Sequence, residues 1–285
     1  MIDEKLEQQI FSRPLTRWGK MMSWIFPYRK KVILENIHQV YAHRISQKAK
    51  IHLLQAFYSH FIKIISETFR LRFLSEKELE DQVRVEGYQH LLDVAEQGKG
   101  VLVLTGHFGN WEFAPLGGIS QFKQFRGHFH FIRRSIGLKS LENILFKRYF
   151  QAGLRIINKK HALDKIFSAL EQNHAVIFVL DQHASLANKD GLAVEFFGKK
   201  AGTYRSLAMV SYYADVPVVP AASYRTADNK HVLKFYPPMH WVSNPDPEIA
   251  LYENTLLYNQ MLEKIILEHP EQWWWLHNRW KLKEA

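Results

Sequence analysis

Two short apolar segments constrain the fold of this 285-residue chain more than any other feature. Residues 101–104 form one segment, framed by Gly98 and Gly100, and residues 175–180 form the other, which ends at Asp181. Continuous apolar runs of this length, bounded by turn residues, are typical of strands buried on both faces of a sheet. The sequence therefore predicts an α/β fold with a mostly parallel central sheet covered by helices.

Helical and extended patterns alternate along the rest of the chain. Further strands are predicted at 128–133, 155–158, 217–224 and 231–235, and helices at 87–96, 139–150, 161–172, 204–214 and 245–268. Such alternation is typical of a sheet with helices on both faces. Residues 31–73 show helical spacing throughout. We therefore expect an N-terminal helical subdomain at residues 1–85 and an α/β domain at residues 86–285.

A polar cluster, Thr-Gly-His-Phe-Gly-Asn-Trp-Glu, runs from Thr105 to Glu112 where the first predicted strand ends. In open α/β sheets, ligands bind at the carboxyl ends of the strands. His107 can accept a proton near neutral pH. Glu112, five residues later, can orient the ring and stabilise the imidazolium that forms. The pattern favours a general base with a carboxylate partner, against the alternative that both are surface or packing residues.

This cluster resembles the His-x4-Asp/Glu motif of the late acyltransferases of lipid A biosynthesis, the lauroyl and myristoyl transferases. The resemblance extends from Tyr28 to Lys281, because further segments match that family in the same order. These segments are 131–134 with 141–142, 180–182, 196–198 with Ala201 and Thr203, 216–220, and 272–281. One such motif would be weak evidence, but several in register make chance a poor explanation.

The resemblance implies a direct O-acyl transfer. His107 would remove the proton from an acceptor hydroxyl as that hydroxyl attacks an acyl thioester, and Glu112 would support His107. The sequence contains no cysteine and no Gly-x-Ser-x-Gly elbow, so a covalent acyl-enzyme is not required. Backbone N–H groups in the turn at Gly109 and Asn110 are candidates for stabilising the oxyanion.

Substrate-binding roles are predicted for five residues. Arg134 matches the family's arginine and suits an anionic group, although Ser135 stands where the family has proline. Asp181 could position His107 or an acceptor sugar, or cap the following turn. Arg205 lies at a helix start, where a phosphate is favoured. The full predicted set is Asn110, Arg134, Asp181, Gln182 and Arg205.

The donor and acceptor follow from the resemblance. It implies acyl carrier protein as the acyl donor, with a coenzyme A thioester as the alternative, and no separate cofactor. Residues 196–198 and the Asp-Gln pair stand where the glycerol-phosphate branch usually carries Glu-Gly-Thr-Arg, so a lipid A precursor is the expected acceptor. A different glycolipid, an aminolipid or an aryl-polyene lipid remains an alternative acceptor.

The charge narrows the classes of partner. A net charge of +10 and a pI near 9.5 favour anionic partners, including an acidic carrier protein and anionic lipid. Nucleic-acid binding is a rival interpretation of the charge, but none of its usual motifs is present. A non-catalytic lipid-binding relative is a second rival, and the His107/Glu112 pair argues against it. No metal site is predicted, because the sequence lacks His-Glu-x-x-His.

The N-terminal region predicts contact with a membrane. Apolar residues recur at helical spacing at Leu15, Trp18, Met22 and Ile25, with basic residues on another face, after Ser12 as a candidate helix cap. Such a helix is too short to cross a bilayer and suits the headgroup region. The alternative is an ordinary helix that packs on the domain. We expect peripheral attachment at the cytoplasmic face of the bacterial inner membrane.

The C-terminal residues 272–281 are rich in tryptophan and basic side chains. A nucleic-acid stacking platform or an interfacial aromatic belt are two interpretations of such a segment. With the family resemblance, packing is favoured for some of the tryptophans at 273–275, and Arg279 or Lys281 is expected near anionic headgroups.

Overall fold

The computed structural model describes residues 2–133, 139–158, 162–187 and 190–282. The predicted substrate-binding Arg134 therefore lies outside the described residues. The chain begins with five helices: α1 (Glu4–Phe11), α2 (Arg17–Ile25), α3 (Lys30–Tyr41), α4 (Gln47–Arg70) and α5 (Glu76–Glu80). Side chains from α1, α3 and α4 join one continuous apolar core with the sheet, so this helical region and the rest of the chain pack together.

Nine strands follow in the described part of the chain. They are β1 (Val83–Glu86), β2 (Val101–Thr105), β3 (Phe129–Arg133), β4 (Leu154–Asn158), β5 (Ala175–Val179), β6 (Gly191–Phe196), β7 (Lys199–Tyr204), β8 (Val218–Arg225) and β9 (His231–Phe235). Seven of them form one sheet in the order β1-β9-β8-β2-β5-β3-β4. Its pairs are parallel except for the antiparallel β8–β9 pair, which confirms the predicted mostly parallel sheet.

Six more helices are described after β1. They are α6 (Tyr88–Ala95), α7 (Phe113–Ile119), α8 (Lys139–Gln151), α9 (Ala162–Glu171), α10 (Ser206–Ala214) and α11 (Pro247–Glu268). The two apolar segments that dominate the sequence are β2 and β5, side by side in the sheet. Leu102, Leu104 and Val176 have no exposed surface. Burial on both faces is what their continuous apolar sequence predicts.

Strands β6 and β7 form a hairpin that was not predicted, and they pair antiparallel outside the main sheet. Its turn consists of Phe197 and Gly198, both with positive φ, at 50° and 70°. A two-residue turn with positive φ at both positions is typical of a tight hairpin. The prediction failed because Phe197 occupies a position where asparagine or glycine would signal such a turn.

Two helix starts also differ from the prediction. Ser12 follows the end of α1 and does not cap the second helix, because Thr16 accepts the hydrogen bond from the backbone N–H of Gly19. Helix α11 begins at Pro247, after Asp246, whose carboxylate caps it. In the sheet, β1 begins at Val83 and so crosses the predicted boundary between residues 85 and 86.

Helix α2 packs on α4 through its smallest residue. A Cβ at Gly19 would lie only 2.0 Å from Ser59 Oγ, so the two helices approach closely there. The opposite side of α2 carries large exposed apolar residues, which we call the outer face of α2: Trp18, Met21, Trp24, Ile25 and the adjoining Phe26. None of the described helices is long and apolar enough to cross a membrane.

Candidate active site

The candidate site lies at the carboxyl ends of β2 and β5. These strands are parallel neighbours in which Thr105 lies opposite Val179. His107 and Asp181 each follow two residues after that last pair. The sheet register therefore brings together two residues that are 74 positions apart in the sequence.

Asp181 holds His107 at two points. The Nδ1 atom of His107 lies 2.9 Å from Asp181 Oδ1, and the backbone N–H of His107 donates to Oδ2 at 2.9 Å. Trp273 Nε1 also donates to Oδ2, at 3.0 Å. Because a carboxylate only accepts hydrogen bonds, this arrangement places the proton of a neutral imidazole on Nδ1. The Nε2 atom then carries the lone pair.

The charge of Asp181 is stabilised by these contacts, although the residue is only 3% exposed. Burial alone would raise its pKa, but attraction to His107 and the hydrogen bonds from His107 and Trp273 outweigh burial and hold the pKa at about 2. Asp181 is therefore an anion at neutral pH. A fixed anion at Nδ1 favours proton uptake at Nε2.

A distant C-terminal segment holds the loop that carries His107. Phe108 forms an isolated antiparallel bridge with Trp273. The backbone N–H of Gly109 donates to the carbonyl of Gln272 at 2.9 Å. The segment that supplies the indole on Asp181 thus also fixes the backbone beside the histidine.

Gly109 is required by both its conformation and its surroundings. Its φ is +53°, a region that disfavours residues with a Cβ. A Cβ there would also lie 2.6 Å from the carbonyl oxygen of Ser223 in β8. The Ser223 hydroxyl in turn donates to the carbonyl of Phe108 at 2.6 Å. The loop is therefore tightly fitted against β8.

Asn110 is fully buried and its side chain has internal partners. Its Nδ2 donates to Glu67 Oε2 at 2.8 Å, and its Oδ1 accepts from the backbone N–H groups of Glu112 and Phe113 at 3.3 and 3.1 Å. These contacts join α4 to the start of α7. Substrate binding by Asn110 stays a prediction, and the contacts favour a structural role for its side chain.

Glu67 is the centre of a buried ionic group beneath the loop. Arg225 donates to Glu67 Oε2 at 2.6 Å and also contacts Oε1, while His231 Nε2 lies 3.4 Å from Oε1. Burial would raise the pKa of Glu67, but His231 and Arg225 bring it well below its usual value. The carboxylate of Glu67 is therefore paired within the protein and is not a free anion beside the site.

Glu112 immediately precedes α7, and its carboxylate accepts a hydrogen bond from the hydroxyl of Tyr149 in α8. The carboxylate that bonds to Nδ1 of His107 is instead that of Asp181. Of the three roles considered for Asp181, orientation of His107 matches this geometry. The predicted His107/Glu112 pair stays a prediction.

Aromatic rings extend from His107 toward α4. Trp111 meets the His107 ring edge-on at 5.0 Å between centroids, and Trp274 meets Trp111 in the same manner at 4.8 Å. Phe61 continues the row, 5.6 Å from Trp274. Trp111, Trp274 and Phe61 are partly exposed, so a partly exposed apolar surface begins beside the His107 ring.

The remaining predicted site residues occupy different positions. Gln182 Nε2 lies 3.4 Å from His107 Nε2, within reach of a hydrogen bond to the nitrogen that carries the lone pair. Arg205 immediately precedes α10 and forms an ion pair with Glu248 at 2.9 Å. Gln182 therefore lies at the site, whereas the described contact of Arg205 joins α10 to α11. Substrate binding by both residues stays a prediction.

The C-terminal segment is mainly internal. Trp273 and Trp275 are buried, as the packing interpretation predicted. Arg279 is also fully buried, so of the two residues predicted near lipid headgroups it is the exposed Lys281 that remains available. Its guanidinium donates to Thr203 Oγ1 at 2.7 Å and contacts the carbonyl of Gly202. Burial lowers its pKa to about 10.

Trp273 is the residue of the site that sequence reasoning missed. Its indole N–H on Asp181 gives it a positioning role. The signal was present in the C-terminal motif, because a buried tryptophan usually needs an acceptor for its N–H.

Among the described residues, no group of three or more His, Cys, Asp or Glu residues is arranged to hold a metal ion.

Residues 4–282 match the family described as Bacterial lipid A biosynthesis acyltransferase. Among curated proteins, the chain is similar to the lipid A biosynthesis lauroyltransferase of Escherichia coli K12, at 24% identity over 273 residues, covering 93% of this chain and 83% of that protein. The palmitoleoyltransferase of the same strain is 22% identical over 273 residues, covering 94% and 84%.

One solved structure that the chain matches is the 1-acyl-sn-glycerophosphate acyltransferase PlsC from Thermotoga maritima. The similarity covers 92% of this chain and 97% of that one, with 14% identity and a TM-score of 0.39.

Proposed function

The chain belongs to the bacterial lipid A biosynthesis acyltransferase family and is an acyltransferase, and from that premise we propose its reaction. The enzyme moves a fatty acyl chain from an acyl thioester to a hydroxyl of a lipid A precursor or a related envelope lipid. The observation that carries this proposal is the contact between His107 Nδ1 and Asp181, which leaves Nε2 as the basic atom.

His107 acts as the general base in this scheme. Its Nε2 takes the proton of the acceptor hydroxyl while the hydroxyl oxygen forms a bond to the thioester carbonyl carbon. The tetrahedral intermediate then expels the thiolate, which takes the proton back from the imidazolium. An ester and a free thiol result, and no covalent bond to the protein forms. Asp181 stabilises the imidazolium through its fixed negative charge.

Glu112 is proposed as the second carboxylate of the site. Its position five residues after His107 matches the family motif, and Tyr149 holds its carboxylate. Because the Nδ1 atom of His107 already bonds to Asp181, Glu112 supports the developing imidazolium electrostatically. Gln182, near Nε2, is proposed to guide the acceptor hydroxyl.

The proposed donor is acyl carrier protein loaded with a fatty acid, with a coenzyme A thioester as the alternative. The charge of the chain supports a carrier protein, and an aromatic row near His107 supports binding of the acyl chain of either donor. The net charge of +10 favours a strongly acidic partner. The aromatic row from Trp111 through Trp274 to Phe61 offers apolar surface for a fatty acyl chain beside the base.

The proposed location is the surface of an anionic bilayer, at the cytoplasmic face of the bacterial inner membrane. The outer face of α2 exposes Trp18 and Trp24 by 64% and 83%. Aromatic side chains of this kind favour the headgroup region, and Arg17 and Lys20 on the same helix add attraction to anionic lipid. This explains why α2 packs on α4 through glycine and leaves its large residues outward.

Mass spectrometry of envelope lipids tests the reaction directly. A strain of the source bacterium that lacks the gene receives the wild-type enzyme, His107→Ala, or His240→Ala as an exposed histidine control. We expect lipid A in the deletion strain to lose one acyl group, which wild type and His240→Ala restore and His107→Ala does not.

Two other outcomes correct the proposal. If a different envelope lipid loses the acyl chain, the transfer chemistry holds and the acceptor is wrong. If His107→Ala restores acylation as well as wild type does, His107 is not the base. Full-length purified enzyme with acyl carrier protein or coenzyme A thioester then identifies the donor by comparing initial rates.

A further inference from the structure

A basic surface pocket of about 620 Å³ lies between α3 and the start of α4, on the helical side of the molecule. We call it the α3–α4 pocket. Its lining includes three lysines, one glutamate, one histidine and one glutamine: Lys30, Lys31, Lys50, Glu35, His38 and Gln47. Three lysines against one glutamate leave an excess of two positive charges, so the pocket suits an anion.

Lys50 is the unusual member of this lining because it is only 8% exposed. Its ammonium lies 2.9 Å from Nδ1 of His38, a neutral acceptor, and no carboxylate among the described residues forms an ion pair with it. The lysine is thus mostly buried and lines the pocket without a carboxylate partner, an arrangement that favours an anion beside it. A bound anion would supply the missing charge.

The rest of the lining favours an anion as well. Glu35 is paired with Lys31 at 3.9 Å, so its charge is partly compensated. Because His38 accepts from Lys50 at Nδ1, its neutral ring carries a proton on Nε2 and can donate.

The α3–α4 pocket adjoins the outer face of α2. Lys30 Nζ donates to the carbonyl of Ser23 in α2 at 3.1 Å, and Trp24 follows directly in the sequence. Phe26, between the two helices, is 70% exposed. An aromatic surface that enters the headgroup layer would therefore bring the pocket to the level of lipid phosphates.

From these contacts we infer that the α3–α4 pocket binds the phosphate headgroup of an anionic membrane lipid, with Lys50 as its central cation. The inference rests on the proposed function only in that the enzyme meets a lipid surface. It assigns to this pocket a headgroup site separate from the His107 site. Aromatic insertion and phosphate binding would then anchor the same helical region together.

Vesicle binding tests the inference with a matched pair of charge variants. Lys50→Gln removes the charge of the mostly buried lysine, and Lys48→Gln removes that of an exposed lysine two residues away on the same helix. Partitioning of the full chain is measured on phosphatidylcholine vesicles with and without phosphatidylglycerol. A lysine that acts only through the surface potential contributes about fivefold. We expect Lys50→Gln to lose more than about fivefold on the anionic vesicles, and Lys48→Gln to lose less.

Neutral vesicles and inorganic phosphate complete the test. On pure phosphatidylcholine, Lys50→Gln should bind as wild type does, which also shows that it is folded. Inorganic phosphate at matched ionic strength should compete with the Lys50-dependent binding. If phosphate stabilises wild type but Lys50→Gln binds anionic vesicles as well as wild type, the site takes free phosphate and the lipid assignment is overturned.

The two proposals fail separately. If Lys50→Gln and Lys48→Gln lose equal vesicle affinity, both lysines act only through the surface charge, and the headgroup site is overturned. Partitioning does not depend on turnover. A wild-type enzyme without transfer activity would therefore defeat the proposed function and leave the comparison of the two lysine variants intact.

Discussion

The His107 site and the outer face of α2 differ in where their contacts come from. At the site, His107 is held by Asp181, and Asp181 by Trp273 from a distant segment. On the outer face of α2, Trp18 and Trp24 remain exposed to solvent. Internal contacts fix geometry, whereas exposed apolar surface is stabilised only by something outside the protein. Variants at the site should therefore change chemistry and stability, and variants on α2 should change only where the enzyme binds.

The largest effect is expected from Asp181→Asn. An amide can no longer stabilise the imidazolium, and loss of such a carboxylate costs up to about 10⁴-fold in kcat in comparable dyads. Glu112→Gln should cost less, because Asp181 would still hold Nδ1. Steady-state rates of both purified variants check this. A larger loss for Glu112→Gln would show that Glu112, not Asp181, is the partner that matters for catalysis.

Gly109→Ala should destabilise the fold most among variants of the loop. A residue with a Cβ at φ +53° costs roughly 1–3 kcal/mol, and the clash with the carbonyl of Ser223 adds to it. The midpoint of thermal unfolding should fall. Gly98→Ala is a matched control, since it also has positive φ but no atom within 4 Å of the added Cβ. An equal fall in the unfolding midpoint of both variants would show that backbone strain alone, without the clash, destabilises Gly109→Ala.

The acid limb of the stability profile should report Asp181. Its pKa of about 2 in the folded protein lies below the ordinary value of 3.8, so its charge stabilises the fold above about pH 4. That stability is lost as the pH falls from about 4 to about 2, and it is on the order of 2 kcal/mol. Urea unfolding at several pH values should show that the free energy of unfolding of Asp181→Asn changes less steeply with pH than that of wild type. The exposed Asp93→Asn should keep the wild-type slope.

The smallest effect on stability should come from Trp24→Ala. The side chain is 83% exposed, so the free energy of unfolding should change by no more than about 0.5 kcal/mol. Binding to vesicles should nevertheless weaken roughly tenfold, because the indole no longer enters the interface. Tyr213→Ala, an exposed aromatic on α10, serves as the control. Equal vesicle binding by Trp24→Ala and wild type would show that Trp24 does not contribute to membrane binding.

Much of the fold could be predicted from the sequence, because β2 and β5 are continuous apolar segments and burial on both faces requires such a pattern. The edge of the sheet where His107 and Asp181 lie followed from the same reasoning. The contact of Asp181 with Nδ1 was one of three roles that the sequence left open for Asp181, and Glu112 was the predicted partner of His107. Glu112 is near in sequence, whereas contact with Asp181 depends on β5 lying next to β2, and periodicity does not give the order of strands.

The hairpin of β6 and β7 and the role of Trp273 were also beyond local reasoning. Phe197 adopts positive φ only because the surrounding fold holds it there. Trp273 contacts Asp181 across 92 positions of sequence. A sequence motif shows that a tryptophan is present, but the acceptor of its N–H is determined by tertiary structure.

The contacts between residues 272–273 and the loop at Phe108 and Gly109 have a consequence during synthesis. A nascent chain that has reached only residue 268 already contains His107, Asp181 and every strand of the sheet. It still lacks Trp273, whose indole N–H donates to Asp181, and Gln272, whose carbonyl accepts from the N–H of Gly109. The loop at His107 therefore reaches its final form only after residues 272–273 have been made, later than every strand of the described sheet.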